Sequence, residues 1–412
     1  MIKCGLLGKK LGHSYSPQIH KMLGQYEYVL YEKEEDEIGC FIKEGDWTGI
    51  NVTIPYKKTV LPYLDDVSDT VKLTGSVNTI IRDENGKLFG DNTDVFGFDR
   101  LVRRSGIDVK GKKTLVLGSG GASASVCAAL GALGAIPVVI SRSGKFNYEN
   151  MYLNRDARVI VNTTPLGMYP NNGEAAVSPG DFPDLEGVID VIYNPARTKL
   201  LLLAEKAGIP CANGLYMLVS QARRSAELFT SSQISPSVSD AITEKLARDE
   251  MNIVLIGMPG CGKSTAARLL GNMTRREVID SDDEIKKRTG LSPEEIITSS
   301  GEAAFRDIES KVLADIGKLS GKIIATGGGA VTVKENRDLL RQNGFTVWIK
   351  RDVSELEISG RPLSKKGDLY AMYEKRKPLY ASFADACVES QAIPEATAEK
   401  ILLEFDGGDL KI

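Results

Sequence analysis

The sequence predicts an α/β protein with two separate parallel-sheet folds, because one local pattern occurs twice along the chain. A short apolar run of β-type residues leads into a glycine-rich turn at Lys113–Leu117 before Gly118, and again at Asn252–Ile256 before Gly257. A helix-forming segment follows each turn, which is the order expected of a strand, a turn and a crossover helix. The turns lie about 140 residues apart and differ in composition. They therefore indicate two different folds, not one repeated motif.

Length, composition and charge narrow the class of protein. The chain has 412 residues, of which 42% are hydrophobic and 26% are charged, as in soluble globular proteins of two or three domains. A formal net charge of −3 favours neither nucleic acid nor an anionic membrane as a partner. The six cysteines show no metal-binding spacing and are typical of free thiols in a reducing compartment.

Two further features bear on the location of the protein. The first ten residues, MIKCGLLGKK, lack the apolar core of a signal peptide. The uncharged stretch from Thr114 to Ile140 contains five glycines and Pro137, so it is interpreted as a buried strand–helix–strand unit and not as a membrane span. A cytoplasmic location is expected, and the oligomeric state stays open.

Domain boundaries are predicted from the positions of the two turns. Residues 1–92 form a first α/β lobe, which helices at about 215–249 complete, and residues 93–214 form the first nucleotide fold. A polar segment, Ser231–Ser239, precedes a predicted helix at Asp240–Glu250 with Ser239 or Asp240 as its cap. The last domain is predicted to span residues 251–412.

The first glycine turn has the composition of a dinucleotide site. In TLVLGSGGASASV the glycines free the backbone amides at a helix N-terminus for a pyrophosphate, although Ser123 replaces the third glycine of the usual Rossmann fingerprint. The next strand ends in Ser141-Arg142-Ser143, where an NAD enzyme would carry an acidic residue. A guanidinium there suits a 2′-phosphate, so NADP is favoured over NAD, while a solvated arginine with no ligand remains the alternative.

Polar clusters on both sides of this fold could grip a polyhydroxylated acid. Together with the turn, the strings GHSYSPQIH, NVTIPYKK, GSVNTI, DNTDVFGF, NTTPLGMYP, DVIYNPARTKLL and NGLYMLVSQA resemble shikimate dehydrogenase over about residues 1–249. The resemblance implies that Lys57 and Asp94 form the catalytic pair. It implies substrate contacts from Ser14, Ser16, Thr53, Lys57, Asn78, Asp94, Tyr193 and Gln221. It also implies NADP contacts from Gly118, Ser119, Gly120, Gly121, Ala122, Ser141, Arg142, Ser143, Asn162, Thr163 and Gly214.

Two departures and two histidines qualify this interpretation. The family often has Asn-Arg-Thr where this chain has Ser-Arg-Ser, and it often has a second arginine nearby, for which Lys145 would substitute here. His13 and His20 are interpreted as structural, because the lysine–carboxylate pair already accounts for proton transfer.

The second glycine turn, GMPGCGKST, fits the P-loop pattern G-x-x-x-x-G-K-[ST] after a hydrophobic strand. In such a loop the backbone amides hold phosphates, the lysine reaches the β and γ groups, and the following hydroxyl suits Mg²⁺. The sequence therefore predicts a P-loop NTPase-type α/β domain with a parallel sheet. The residues expected at ATP are Gly257, Gly260, Cys261, Gly262, Lys263, Ser264 and Thr265.

Downstream strings resemble shikimate kinase from about Met251 to the end: DSD at 280–282, GEAAFRDIE, ATGGGA, SGRPL and YEKRKPLY. The resemblance implies that Ser264 and Asp280 organise Mg²⁺ and that Asp282 grips ring hydroxyls or acts as the base. Lys263 and Arg361 would stabilise the transferring phosphoryl group, with Arg361 in a lid at Ser359–Leu369. The shikimate contacts would come from Asp282, Arg306, Gly327, Gly328, Gly329 and Arg376.

The two resemblances predict a bifunctional enzyme whose second activity uses the product of the first. It would reduce 3-dehydroshikimate with NADPH and then phosphorylate shikimate with ATP and Mg²⁺, so its partners are small molecules. Two alternatives are kept: a catalytically inactive regulatory protein that responds to quinate or shikimate, and a dehydrogenase acting on quinate. The regulatory alternative would require the loss of a catalytic residue or a gained DNA-binding segment, and neither is visible in the sequence.

Overall fold

A computed structural model describes residues 2–12, 14–170, 172–356 and 366–408. The chain divides into two units, and each is described by itself. The first contains residues 1–167, 174–193 and 203–245, and the second contains residues 168–173, 194–202 and 246–412. The domain boundaries predicted at residues 92, 214 and 251 remain predictions.

The first unit contains two sheets. The first sheet is mixed, with strand order β2-β1-β3-β5-β6-β4, and its strands are β1 Lys3–Gly8, β2 Glu27–Glu32, β3 Gly49–Val52, β4 Asp66–Val67, β5 Thr79–Arg82 and β6 Leu88–Asp91. The second sheet is entirely parallel, with order β11-β10-β9-β7-β8, and its strands are β7 Lys113–Leu117, β8 Ile136–Ile140, β9 Val159–Asn162, β10 Gly187–Asp190 and β11 Cys211–Ala212.

The helices of the first half of the chain are α1 Ser16–Leu23, α2 Ile38–Glu44, α3 Asp69–Thr74, α4 Thr93–Ser105, α5 Gly121–Ala132, α6 Lys199–Lys206, α7 Leu215–Thr230 and α8 Pro236–Glu250. The uncharged stretch folds as β7, α5 and β8, which confirms its interpretation as a buried strand–helix–strand unit. The predicted start of the helix at Asp240 is wrong, because α8 begins at Pro236. Proline has no amide hydrogen to lose in the first turn, so the polar segment continues directly into the helix.

The second unit is built on one parallel sheet with strand order β13-β14-β12-β15-β16. Its strands are β12 Asn252–Ile256, β13 Val278–Asp280, β14 Ile323–Ala325, β15 Gly344–Lys350 and β16 Ala386–Glu389. Its helices are α9 Lys263–Thr274, α10 Ser281–Thr289, α11 Pro293–Ile316, α12 Glu335–Arg341, α13 Lys366–Phe383 and α14 Pro394–Gly407. The predicted parallel sheet of the second half is therefore confirmed.

Buried apolar residues explain why these elements stay in place. β12 is buried at all five positions, as expected of a central strand covered on both faces. In the first unit, one cluster packs Ile50 and Ile80 of the mixed sheet against α2, and another packs Val116 and Val161 of the parallel sheet against α4 and α5. In both folds, the strands present their carboxyl ends to the loops that carry the predicted site residues. In the part of the chain that is described, no helix is long and apolar enough to span a membrane.

Candidate active sites

The predicted catalytic pair of the first unit is formed. Lys57 Nζ donates a hydrogen bond to Asp94 Oδ2 over 2.6 Å, and the two side chains are 23% and 14% exposed. Asp94 lies in the first turn of α4, where the positive end of the helix dipole stabilises a carboxylate. Asn78 Nδ2 donates to the other oxygen, Asp94 Oδ1, over 3.0 Å. The ammonium and the carboxylate are thus held in contact at a partly solvated position.

This pair opens on a cavity of about 550 Å³, a volume that suits a small metabolite. Its walls bring together residues from β3, α4 and α7 with the loop between β1 and α1. All eight substrate-binding residues predicted for the first unit line it: Ser14, Ser16, Thr53, Lys57, Asn78, Asp94, Tyr193 and Gln221. Ala122 and Gly214 of the predicted cofactor set also line it. The N-terminus of α5 and the catalytic pair therefore line the same cavity.

The glycine turn between β7 and α5 provides bare backbone at a helix N-terminus. Gly118 has φ +108°, and a Cβ there would lie 2.9 Å from Thr163 Oγ1, so only glycine fits. Gly120 and Gly121 have open space where a Cβ would stand. Bare backbone with open space beside it at the positive end of α5 fits a pyrophosphate, and this is the observation that supports a dinucleotide at this turn.

The remaining predicted cofactor residues lie at neighbouring strand ends, outside the lining of the cavity. Arg142 and Ser143 are exposed just after β8, whereas Ser141 is buried. Asn162 is buried and donates to Asp190 Oδ1 over 3.0 Å, and the Thr163 hydroxyl donates to the Leu117 carbonyl over 2.6 Å. These two bonds connect the ends of β7, β9 and β10. Gly118, Ser119, Gly120 and Gly121 also lie outside the lining.

His20 is a core residue. It is 1% exposed, stacks on the Tyr28 ring at a centroid distance of 3.9 Å, and has Nδ1 2.6 Å from the Tyr26 hydroxyl. Burial lowers the pKa of His20 to about 3. It is absent from the lining of the cavity, which supports its interpretation as structural. His13 lies outside the described residues.

The P-loop of the second unit begins α9 at Lys263. Lys263 is 8% exposed, and its ammonium donates to the carbonyls of Gly257 and Met258 over 2.9 and 3.0 Å. Gly257 has φ +148°, and a Cβ there would lie 2.5 Å from the Ile349 carbonyl oxygen. A cavity of about 350 Å³ opens over this loop, and the predicted ATP residues that line it are Gly260, Cys261, Gly262, Lys263, Ser264 and Thr265. Gly257 therefore allows the loop to pass close to the end of β15, and it does not line the cavity.

Two oxygen ligands suited to Mg²⁺ lie beside the loop. The Ser264 hydroxyl donates to Asp280 Oδ2 over 2.8 Å, and Asp280 caps α10 by accepting from the Asp282 amide over 3.0 Å. Mg²⁺ prefers hard oxygen ligands and commonly uses one or two carboxylates together with substrate phosphates. This pair of residues therefore fits the ion that the sequence predicted.

The predicted acid-binding residues of the kinase half are also in contact. Arg376 Nη1 donates to the Gly328 carbonyl over 3.1 Å. A Cβ at Gly329 would overlap the Arg306 guanidinium, and one at Gly327 would lie 3.0 Å from Asp282 Oδ1. The three glycines thus allow the chain to pass close to two arginines and a carboxylate. Arg361 and most of the predicted lid lie outside the described residues.

Sequence reasoning missed several residues at the site of the second unit. Glu309 is fully buried and accepts from Arg306 over 2.7 Å, and burial raises its pKa against the opposing effect of that arginine. Arg351, Gln391, Pro394 and Thr397 line the cavity over the P-loop. These four residues lie about 90 to 130 positions after the loop and belong to no recognisable local motif, so no local pattern could have identified them.

Comparison with known proteins agrees with this geometry. A family model for the substrate-binding domain of shikimate dehydrogenase matches residues 6–80, and a model for shikimate kinase matches residues 259–406. The NADP(+) shikimate dehydrogenase of Clostridium perfringens is 35% identical over 264 residues, covering 59% of this chain and 97% of that protein.

Two solved structures share the fold of the first half. A chorismate mutase/shikimate 5-dehydrogenase fusion protein from Clostridium acetobutylicum is 35% identical with a TM-score of 0.57, covering 60% of this chain and 97% of that one. Shikimate 5-dehydrogenase from Thermus thermophilus, in complex with NADP(H) and shikimate, is 29% identical with a TM-score of 0.55, covering 60% and 99%. The chain therefore belongs to the shikimate dehydrogenase family, carries a shikimate kinase domain after its dehydrogenase part, and is an enzyme of the shikimate pathway.

Proposed function

We propose that this chain reduces 3-dehydroshikimate to shikimate with NADPH and then phosphorylates shikimate to shikimate 3-phosphate with ATP and Mg²⁺. The observation that carries the proposal is that each unit has its own cavity beside a glycine-rich turn of the right type. The first cavity is lined by both the Lys57–Asp94 pair and the N-terminus of α5, and the second opens over the P-loop. Two separate sites for one cyclohexene acid would allow the product of the first to serve the second.

In the reduction, one proton must reach the oxygen of the ketone while the carbonyl carbon gains a hydride. Bound NADPH supplies the hydride. Lys57 is the proton donor best placed for the oxygen, because its ammonium faces the cavity and Asp94 holds it at 2.6 Å. A positioned acid of this kind contributes about 10²- to 10⁴-fold to a rate. Asp94 keeps the amine in place after the transfer by its hydrogen bond to Nζ.

Binding of the acid in the first cavity follows from the chemistry of its walls. Ser14 and Ser16 contribute hydroxyl groups, which suit a carboxylate, and Asn78 and Gln221 contribute amides, which suit ring hydroxyls. Quinate offers similar groups, so the choice between the two acids is an outcome of the assay. For NADP, exposed Arg142 provides the cation that suits a 2′-phosphate.

In the phosphorylation, positioning and charge stabilisation do most of the work. Lys263 lies among the loop carbonyls, from which it can reach the phosphates of ATP. Asp282 sits beside the glycine run and is the carboxylate available to orient and deprotonate the attacking hydroxyl. Arg306 and Arg376 border the same run, where their planar guanidinium groups suit the carboxylate of the acid.

The test is a single reaction that contains the purified chain, 3-dehydroshikimate, NADPH, ATP and Mg²⁺. We expect NADPH loss followed by ADP release, and we expect both signals to vanish when NADPH is omitted. Adding shikimate should then restore ADP release alone. The proposal fails if neither signal depends on these acids, and quinate in place of shikimate tests the alternative substrate.

A further inference from the structure

Ser225 lies behind the first cavity and does not line it. It is fully buried on α7, one helical turn after Gln221. Its Oγ lies 2.8 Å from Asn51 Nδ2, 2.8 Å from Thr79 Oγ1 and 3.2 Å from Thr93 Oγ1. One hydroxyl therefore joins strands β3 and β5 to helices α4 and α7.

The amides around this hydroxyl have fixed orientations. Asn51 Nδ2 lies 3.3 Å from the Asn78 carbonyl, which can only accept, so this side of the Asn51 amide must be the NH₂ group. Tyr28 donates to the opposite oxygen, Asn51 Oδ1, over 2.8 Å. The Asn51 NH₂ group therefore points at Ser225, and Ser225 must accept from it.

The amide of Asn78 is fixed in the same way. The backbone amide of Thr93 donates to Asn78 Oδ1 over 2.7 Å, so the NH₂ group of Asn78 must face the cavity. There it donates to Asp94 Oδ1 over 3.0 Å and approaches Gln221 Oε1 at 3.4 Å. The direction in which the Asn78 NH₂ group faces the cavity thus depends on what surrounds Asn78 Oδ1.

A threonine hydroxyl connects Ser225 to the amide of Asn78. Thr79 Oγ1 lies 3.1 Å from Asn78 Oδ1, which can only accept, so the single hydrogen of Thr79 goes to that oxygen. Thr79 must then accept at Ser225, whose hydroxyl donates to it over 2.8 Å in place of its other acceptor, the Gln221 carbonyl at 3.1 Å. Removing the Ser225 oxygen would deprive Asn51 of an acceptor and Thr79 of the donor that turns the Thr79 hydrogen towards Asn78.

We infer that Ser225 is a positioning residue for the dehydrogenase reaction: through Thr79 it holds the Asn78 amide in the orientation that receives the ring hydroxyls of the acid. The inference rests on the proposed function of the first cavity. Ser225 touches neither the acid nor the Lys57–Asp94 pair, so it acts on binding in the ground state and the transition state alike. A change of that kind appears in KM, with kcat largely retained.

The decisive experiment compares Ser225→Ala with Ser220→Ala in the full chain. Ser220 is a matched control on the same helix, because it is 1% exposed and its hydroxyl has no hydrogen-bond partner among the described residues. With shikimate and NADP⁺, we expect Ser225→Ala to raise the KM for shikimate about tenfold, the effect of one buried hydrogen bond. Its kcat, its pH profile and its KM for NADP⁺ should stay close to wild type, and Ser220→Ala should change none of these.

A second variant covers the case in which Ser225→Ala does not fold. Thr79→Val keeps the shape of the side chain and removes the next hydroxyl in the chain of contacts, so it should raise the KM for shikimate in the same way. Where both variants fold, their combination should cost less than the two effects added, because they interrupt one path.

Three results would overturn the inference: no rise in the KM for shikimate beyond that of Ser220→Ala, an equal loss in kcat and in NADP⁺ binding, or fully additive effects in the double variant. If Ser225→Ala does not fold, an unchanged KM for shikimate in Thr79→Val overturns it as well. Failure of the wild-type chain to oxidise shikimate would instead refute the proposed function, so the two failures are distinguishable.

Discussion

The buried imidazole of His20 should make the first unit less stable in mild acid. Burial lowers the pKa of His20 from its usual 6.5 to about 3, and a hydrogen bond with Asn51 offsets only part of the effect. In the unfolded chain the imidazole binds a proton below about pH 6.5, whereas in the folded chain it stays neutral until about pH 3. The unfolded state therefore binds more protons throughout this window, and the free energy of unfolding falls as the pH falls.

The size of the effect follows from the two pKa values. Each pH unit inside the window costs about 1.4 kcal/mol, so the first unit should lose about 2 kcal/mol between pH 6.5 and pH 5. The whole window would cost about 5 kcal/mol, although carboxylates also titrate below pH 5. The chain contains only two histidines, so between pH 5 and 6.5 imidazole titration has few possible sources.

The assay is urea unfolding at several pH values, followed by tryptophan fluorescence. Trp47 reports on the first unit in a Trp348→Phe background, because the chain has only these two tryptophans. His20→Phe keeps an aromatic ring against Tyr28 and cannot titrate, so its stability should depend less on pH than that of its His20 parent. His13→Gln removes the only other imidazole. Parallel pH profiles for the His20→Phe variant and its parent would refute the reasoning.

Three further predictions concern the two sites. Lys57→Ala should reduce NADPH oxidation with 3-dehydroshikimate about 10²- to 10⁴-fold and leave shikimate-dependent ADP release unchanged; parallel loss of both activities in a folded protein would contradict separate sites. Lys263→Ala should have the opposite effect, abolishing ADP release while dehydrogenase kinetics stay at wild-type values. Gly329→Ala should raise the KM for shikimate in the kinase reaction with little change in the KM for ATP, because its Cβ would overlap the Arg306 guanidinium. A larger effect on ATP than on shikimate would remove Gly329 from the acid site.

Local patterns predicted much of both sites. The P-loop and the turn before α5 are set by glycine positions within about ten residues of one another, because bare backbone at a strand-to-helix turn is a local requirement. The start of α8 was predicted wrongly for a local reason as well. The polar segment was expected to end before the helix begins, yet proline in the first turn let the helix begin at Pro236.

Contacts between distant segments could not be predicted in this way. Glu309 lies on α11 like Arg306, but nothing in its spacing shows that it is fully buried beside the glycine run. Arg351 and Pro394 meet the P-loop only because β15 and the segment before α14 end at the same edge of the sheet. Which residues line the same cavity depends on the order of the strands in the sheet, and no single motif encodes that order.

The sequence by itself determined that the chain has two α/β folds, where their nucleotide turns lie and which residue types do the chemistry. It could do so because glycines, a P-loop lysine and paired charges are constrained by their immediate neighbours in the chain. Only the tertiary structure decided that Ser225, 174 positions after Asn51 in the chain, accepts its hydrogen bond, and that His20 is buried away from the catalytic pair. Burial and long-range hydrogen bonds are properties of how elements pack. They arise when strands and helices from distant parts of the chain exclude water together.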